Sequence, residues 1–180
     1  MPVPSPALLS DPPITDPSGD GAGSLPPEIA TLDPLEVPYD AADPAAARAF
    51  VAATEAQFGR IDGLVNNAGV QTAYRGDMLD IPVESFDRLM SVNLRGSFFL
   101  TQTISKRMIA EPVSGDPARP QRSVIFISSG NAVIATPAQA DYCISKSGVA
   151  MMASLYALRL AGHGIAVHEI RPGIIRTDMA

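Results

Sequence analysis

Tyr142 and Lys146 stand four residues apart in Asp141-Tyr142-Cys143-Ile144-Ser145-Lys146, a spacing that puts two side chains on one face of a helix. A phenol beside an ammonium is a proton-transfer pair. A free phenol ionises near pH ~10, and a neighbouring positive charge favours the phenolate. Ser129, upstream of this pair, offers a hydroxyl that can donate to an oxygen on which charge develops. Asn93, in Ser91-Val92-Asn93-Leu94, is an amide inside a helical run, where such a residue faces solvent or marks a kink. Asn66-Asn67-Ala68-Gly69 and Pro172-Gly173 are segments where small residues let the backbone approach a ligand closely. Each signal is weak alone: Tyr-x-x-x-Lys arises by chance, and a serine pair after a strand is commonly turn chemistry.

The elements that must hold these groups alternate between helix and strand. Leu35–Val37 reads as a short strand. Asp43 then caps a helix with Pro44 at its first position, running to Phe58 and stopped by Gly59. Ile61–Val65, Ser123–Ser128 and Ile165–Ile170 are apolar runs bounded by turn residues, suited to buried strands. A long helical stretch is expected from Pro82 to about Ala110, bent near Asn93–Gly96. Another helix starts at Asp141 or nearby and reaches Ala161. Helices between non-alternating strands predict an α/β fold, a doubly wound parallel sheet covered on both faces. The small-residue segments and Ser128-Ser129 fall at the carboxyl ends of its strands, where such sheets bind ligands. From Gly148 the last helix is apolar on nearly every face. It is therefore expected to bury a second face, most simply against another subunit across a two-fold axis.

The chain has 180 residues, 46% hydrophobic and 18% charged, the composition of one globular domain. A single cysteine excludes a disulfide scaffold. The formal charge of −6 argues against nucleic-acid binding. That charge is unevenly spread: residues 1–44 hold eight acids, eleven prolines and no Lys or Arg, whereas residues 45–180 sum to +2. Residues 1–34 are expected to be an irregular Pro-rich segment, with the domain occupying 35–180. Gly19, Gly21 and Gly23 follow no strand and precede Pro26-Pro27, so a flexible linker is expected there rather than a phosphate loop. No secretory signal or membrane span is expected, which makes a reducing cytoplasm the default. Metal binding has no support, because no carboxylate pair is placed to join His163 and His168.

In combination, Asn66-Asn67-Ala68-Gly69, Asn93, Ser129, Tyr142, Lys146 and Pro172-Gly173 resemble the short-chain dehydrogenase/reductase family over about Leu35 to Ala180. YCISK and RPGIIRTDM are most similar to its 3-oxoacyl-acyl-carrier-protein reductase branch. The resemblance implies a Rossmann-type sheet, a NADP or NAD cofactor with NADP slightly favoured, and a small-molecule or carrier-bound carbonyl substrate. It implies Tyr142 as general acid or base, with Lys146 supporting it and holding the nicotinamide ribose. Ser129 would steady the substrate oxygen, and Asn93 would bend its helix and hold a relay water. Asn67, Ala68 and Gly69 would line the adenosine ribose, and Asp40 the adenine amino group. Pro172-Gly173, Ile175 and Thr177 would lie on the carboxamide and diphosphate side. From its apolar faces, the helix over 142–161 is expected to join a homodimer or homotetramer.

The sequence departs from the family where a glycine-rich turn, the first two strands and the last strand would be. The expectation is thus a partial domain from a once complete enzyme, with Ile61–Val65 left as an open edge. Two function readings follow: an oxidoreductase interconverting a carbonyl and a secondary alcohol, or a non-catalytic fragment acting at most as a dimerisation module.

Overall fold

Asp43 opens the first helix by accepting the Ala45 N–H at 2.8 Å, which satisfies one of the donors a helix start leaves unpaired. This helix, α1, spans Pro44–Phe58. Gly59 ends it at φ 80°, a conformation suited to glycine, with its N–H on Glu55 O at 2.8 Å. The computed structural model describes residues 36–37, 39–111 and 122–173. The remaining elements are β1 (Gly63–Asn66), α2 (Val83–Leu89), a π-helical segment (Met90–Gly96), α3 (Ser97–Ala110), β2 (Ser123–Ile127), α4 (Ala140–Leu160) and β3 (Ala166–Ile170), with short 3-10 turns between them.

The strands form a parallel sheet in the order β1-β2-β3, with Leu64 opposite Val124 and Val124 opposite Val167. Leu64, Asn66, Val124 and Phe126 share one face and are buried. All the long helices lie on that face. Thr101 of α3 accepts the Asn66 amide at 2.9 Å, and Tyr156 of α4 stacks on Phe126 with ring centroids 5.9 Å apart. Ala47 and Val51 of α1 close the same core together with Ile104, Val149 and Leu160. At the amino end of the sheet the buried guanidinium of Arg122 bonds the Met108 carbonyl, the Glu111 carbonyl at 2.9 Å and carboxylate at 3.1 Å, and Asp62 at 3.3 Å. It ties the end of α3 to the chain entering β1.

Two sequence expectations need correction. Helices cover only one face of the sheet among the described residues, and Val65 on the other face is 57% exposed. Glu36 and Val37 are not in a strand, while Leu35 lies outside the described residues. The last helix starts at Ala140, next to the expected Asp141, and Gln139 holds the cap position without a side-chain bond. The bend expected near Asn93–Gly96 lies within a π-helical segment, Met90–Gly96. Its last residue, Gly96, lies so close to the chain that a Cβ would stand 2.0 Å from Ala41 O.

Candidate active site

Strand ends, the loop after β1 and the start of α4 converge on an open cavity of about 670 Å³, within the size range of ligand sites. It is lined by Asn67, Gly69, Ser129, Tyr142, Lys146, Pro172 and Gly173 from the expected set, joined by Val70, Gln71, Arg88, Ile127 and Ser128. Ala68 and Asp40 do not line it. The Asp40 carboxylate instead accepts the Ala42 N–H at 2.8 Å in the turn before α1. Ile175 and Thr177 lie outside the described residues.

Tyr142 and Lys146 are brought together as helical spacing requires, with the Lys146 ammonium 5.8 Å from the Tyr142 ring centroid. Lys146 is buried and donates to Ile127 O at 3.0 Å. Burial holds its ammonium below the ordinary lysine range, because a charged amine loses hydration there. Among the described residues Nζ makes only that one bond, so two of its three donors remain for a ligand. Gly69 keeps the opposite wall close: a Cβ there would meet Asn93 Oδ1 at 3.3 Å and Lys146 Nζ at 3.5 Å.

Of the serine pair, Ser129 carries the free proton. Its Oγ accepts the Asn131 N–H at 3.2 Å, and no acceptor among the described residues takes its own hydrogen. Ser128 is turned to the sheet, where it donates to Glu169 Oε1 at 2.5 Å. Glu169 also pairs twice with Arg171, at 2.6 and 2.8 Å. That pairing, with the Ser128 bond, holds its carboxyl below the usual carboxylate range. The strand ends are laced by Ser128 N–H to Ile170 O and Gly130 N–H to Pro172 O, both at 2.9 Å.

Asn93 stands behind the wall rather than in it, 2% exposed. Its amide oxygen accepts the Val70 N–H at 2.7 Å, and its nitrogen donates to Val70 O at 2.9 Å and Ser145 Oγ at 3.1 Å. Both amide hydrogens are used by protein, so the side chain clamps the loop after β1. Sequence reading missed Asp141, Ser145, Val70 and Arg88. The first two adjoin the Tyr-Lys pair, but their partners are distant in the chain, and no local pattern reveals them.

A three-stranded parallel sheet with a tyrosine–lysine–serine site at its carboxyl edge defines a Rossmann-type α/β protein with the groups for acid–base chemistry. The short chain dehydrogenase family model matches residues 28–180, and the chain belongs to that family. It is 32% identical over 145 residues to the L-rhamnose 1-dehydrogenase (NAD(P)(+)) of Sphingomonas sp. (strain SKA58), covering 81% of this chain and 54% of that protein. Among solved structures, a 3-oxoacyl-[acyl-carrier protein] reductase from Brucella melitensis in complex with NAD superposes with a TM-score of 0.73 at 47% identity, over 79% of this chain and 55% of that one. A gluconate 5-dehydrogenase from Burkholderia cenocepacia J2315 with NADP and tartrate gives 0.68 at 33% identity, over 78% and 51%. The chain spans about half the length of the curated relatives it matches.

Proposed function

We propose that residues 35–180 are the catalytic part of a NAD(P)(H)-dependent oxidoreductase that interconverts a carbonyl and a secondary alcohol, on a small molecule or an acyl chain held by a carrier protein. The observation that carries this reading is the placement of Ser129, Tyr142 and Lys146 on one cavity, with a buried lysine that keeps two donors for a ligand. Those donors, and a wall at Gly69 where an added methyl would press on Asn93 and Lys146, fit the ribose end of a nicotinamide nucleotide. Asn67, Gly69, Pro172 and Gly173 would hold its neighbouring parts; Ala68 and Asp40 stand outside the cavity and carry less of this role. When bound, the nicotinamide gives or takes the hydride at carbon.

The chain's own residues manage the oxygen. In reduction the Tyr142 phenol donates its proton as the carbonyl oxygen gains charge, and in oxidation the phenolate takes the alcohol proton. Lys146 supplies a positive charge at that face, and Ser129 donates its unclaimed hydrogen to the same oxygen. Asn93 holds the loop that carries Gly69, so its part is positional. The coenzyme could be NAD or NADP: the two solved relatives carry one each. We place the protein in the cytoplasm; no helix among the described residues is long and apolar enough to cross a membrane.

Titrating the 180-residue chain with NADH and NADPH tests the reading, with saturable binding to folded protein expected. Tyr142→Phe should lower turnover by about 10²–10⁴-fold, the usual worth of a positioned acid–base group, and leave coenzyme affinity within about twofold. Unchanged turnover would rule out Tyr142. A second reading, a non-catalytic dimerisation module, is favoured by the exposed stripe Met151, Leu155 and Leu158 on α4. It predicts self-association without dinucleotide binding.

A further inference from the structure

Asp141 is fully buried, and no lysine, arginine or histidine among the described residues pairs with it. Burying a carboxyl without a counter-ion is costly, so its neighbours must repay it through hydrogen bonds. Its Oδ2 accepts from Ser85 Oγ at 2.8 Å and lies 3.0 Å from the Thr72 hydroxyl, whose single hydrogen is shared with Tyr74 O at 2.6 Å, and Oδ1 accepts the Tyr142 N–H at 2.8 Å. These partners come from three segments. Thr72 follows Gly69 in the loop after β1, Ser85 lies in α2 ahead of Asn93, and Tyr142 begins the reactive face of α4.

The peptide groups of Tyr142 are therefore gripped on both sides. Its N–H lies in the first turn of a helix, where no backbone acceptor is available, and it ends on Asp141. Its C=O accepts the Ser145 hydroxyl at 2.8 Å, and Ser145 in turn takes the Asn93 amide. Both grips lead back to the loop after β1, through Thr72 on one side and through Val70 on the other. A capping role alone does not account for Asp141, since it sits inside the helix and spends Oδ2 on two other segments.

We infer that Asp141 is a positioning residue: its buried carboxyl holds the Tyr142 backbone against α2 and the loop after β1, and so aims the phenol into the cavity. The inference rests on Tyr142 being the acid–base group, and its test reads the geometry apart from the activity. The full chain is labelled with 3-fluorotyrosine, and Tyr142→Phe assigns the Tyr142 fluorine line. Asp141→Ala should shift or broaden that line and leave those of Tyr39 and Tyr156 in place. Asp141→Asn retains Oδ1 for the Tyr142 N–H and should restore most of it. Ser85→Ala should give a partial shift. Turnover should fall about tenfold or more in Asp141→Ala, as expected for a misaimed group, with coenzyme affinity within about twofold. A Tyr142 line unmoved in folded Asp141→Ala overturns the proposal. So does displacement of all four lines by both Asp141→Asn and Ser85→Ala, which would mean a general packing role. If Asp141→Ala does not fold, an unmoved line in Ser85→Ala combined with Thr72→Val overturns it equally. Full turnover in Tyr142→Phe would sink the acid–base reading instead, and the fluorine lines would still report whether Asp141 holds Tyr142.

Discussion

Lys146 combines two demands that pull against each other. Chemistry asks for a positive charge beside Tyr142, and folding asks for that charge to be removed from water. Burial holds its ammonium below the ordinary lysine range, so in the window between that lowered value and the unfolded value of about 10.4 the unfolded chain binds more protons. Stability then rises with pH across the window and is flat below it. Compared with Lys146→Met, the wild-type chain should gain relative stability as pH climbs through the window. Denaturant unfolding of both proteins at several pH values checks this, and a constant difference would show that the burial is not felt. The pair Tyr142 and Lys146 was legible because they share a helix face by spacing, and Gly69 because the segment that carries it follows a strand directly. Asp141 was not, because its bonds to Thr72 and Ser85 cross 69 and 56 positions of chain. Asn93 was legible as the bend of its helix; its clamp on Val70 belongs to the tertiary fold.

At the scale of elements, the π-helical segment Met90–Gly96 is the piece that brings α2, α3 and the loop after β1 into one arrangement. Its end touches the turn before α1, where Gly96 leaves no space: an added methyl would stand 2.0 Å from a backbone oxygen that cannot swing aside. Gly96→Ala should therefore cost about 1–3 kcal/mol, the usual penalty of overpacking, read as a lower midpoint in urea with an unchanged slope. A second element-level tie is Asn66 to Thr101, both buried. Thr101→Val keeps the volume and removes the acceptor, stranding the Asn66 amide, at about 1–3 kcal/mol. Both costs should appear in denaturant melts. Strand and helix existence was readable from apolar runs and caps, and Asp43 with Gly59 marked both ends of α1. The strand bounds shifted by a residue or two, and α4 opens at Ala140, next to the expected Asp141.

For the whole molecule, the two faces of the sheet differ. Leu64, Val124 and Phe126 are under helices, while Val65 and Ile170 on the other side remain about half exposed. A second apolar surface runs along α4, where Met151 is 60% and Leu158 81% exposed, beside a groove floored by Leu94, Phe98 and Tyr156. Apolar patches of this kind mark interaction sites, and we expect α4 to pair with α4 of a second copy about a two-fold axis. Leu155→Glu with Leu158→Glu should convert the assembled form to monomer in sedimentation velocity while helix content is kept. Unchanged sedimentation would place the contact elsewhere.

The sequence by itself determined the α/β alternation and the sharing of one helix face by Tyr142 and Lys146, since both are written in short-range spacing, and the family through its motifs in combination; it nominated Ser129 only through that resemblance. The tertiary structure decided how that group is held: which serine keeps an unclaimed hydroxyl hydrogen, the use of Asn93 and Asp141 as ties, and the covering of one sheet face. Those outcomes depend on which distant polar groups are buried together, and a buried donor or acceptor takes whatever partner the completed fold puts within reach.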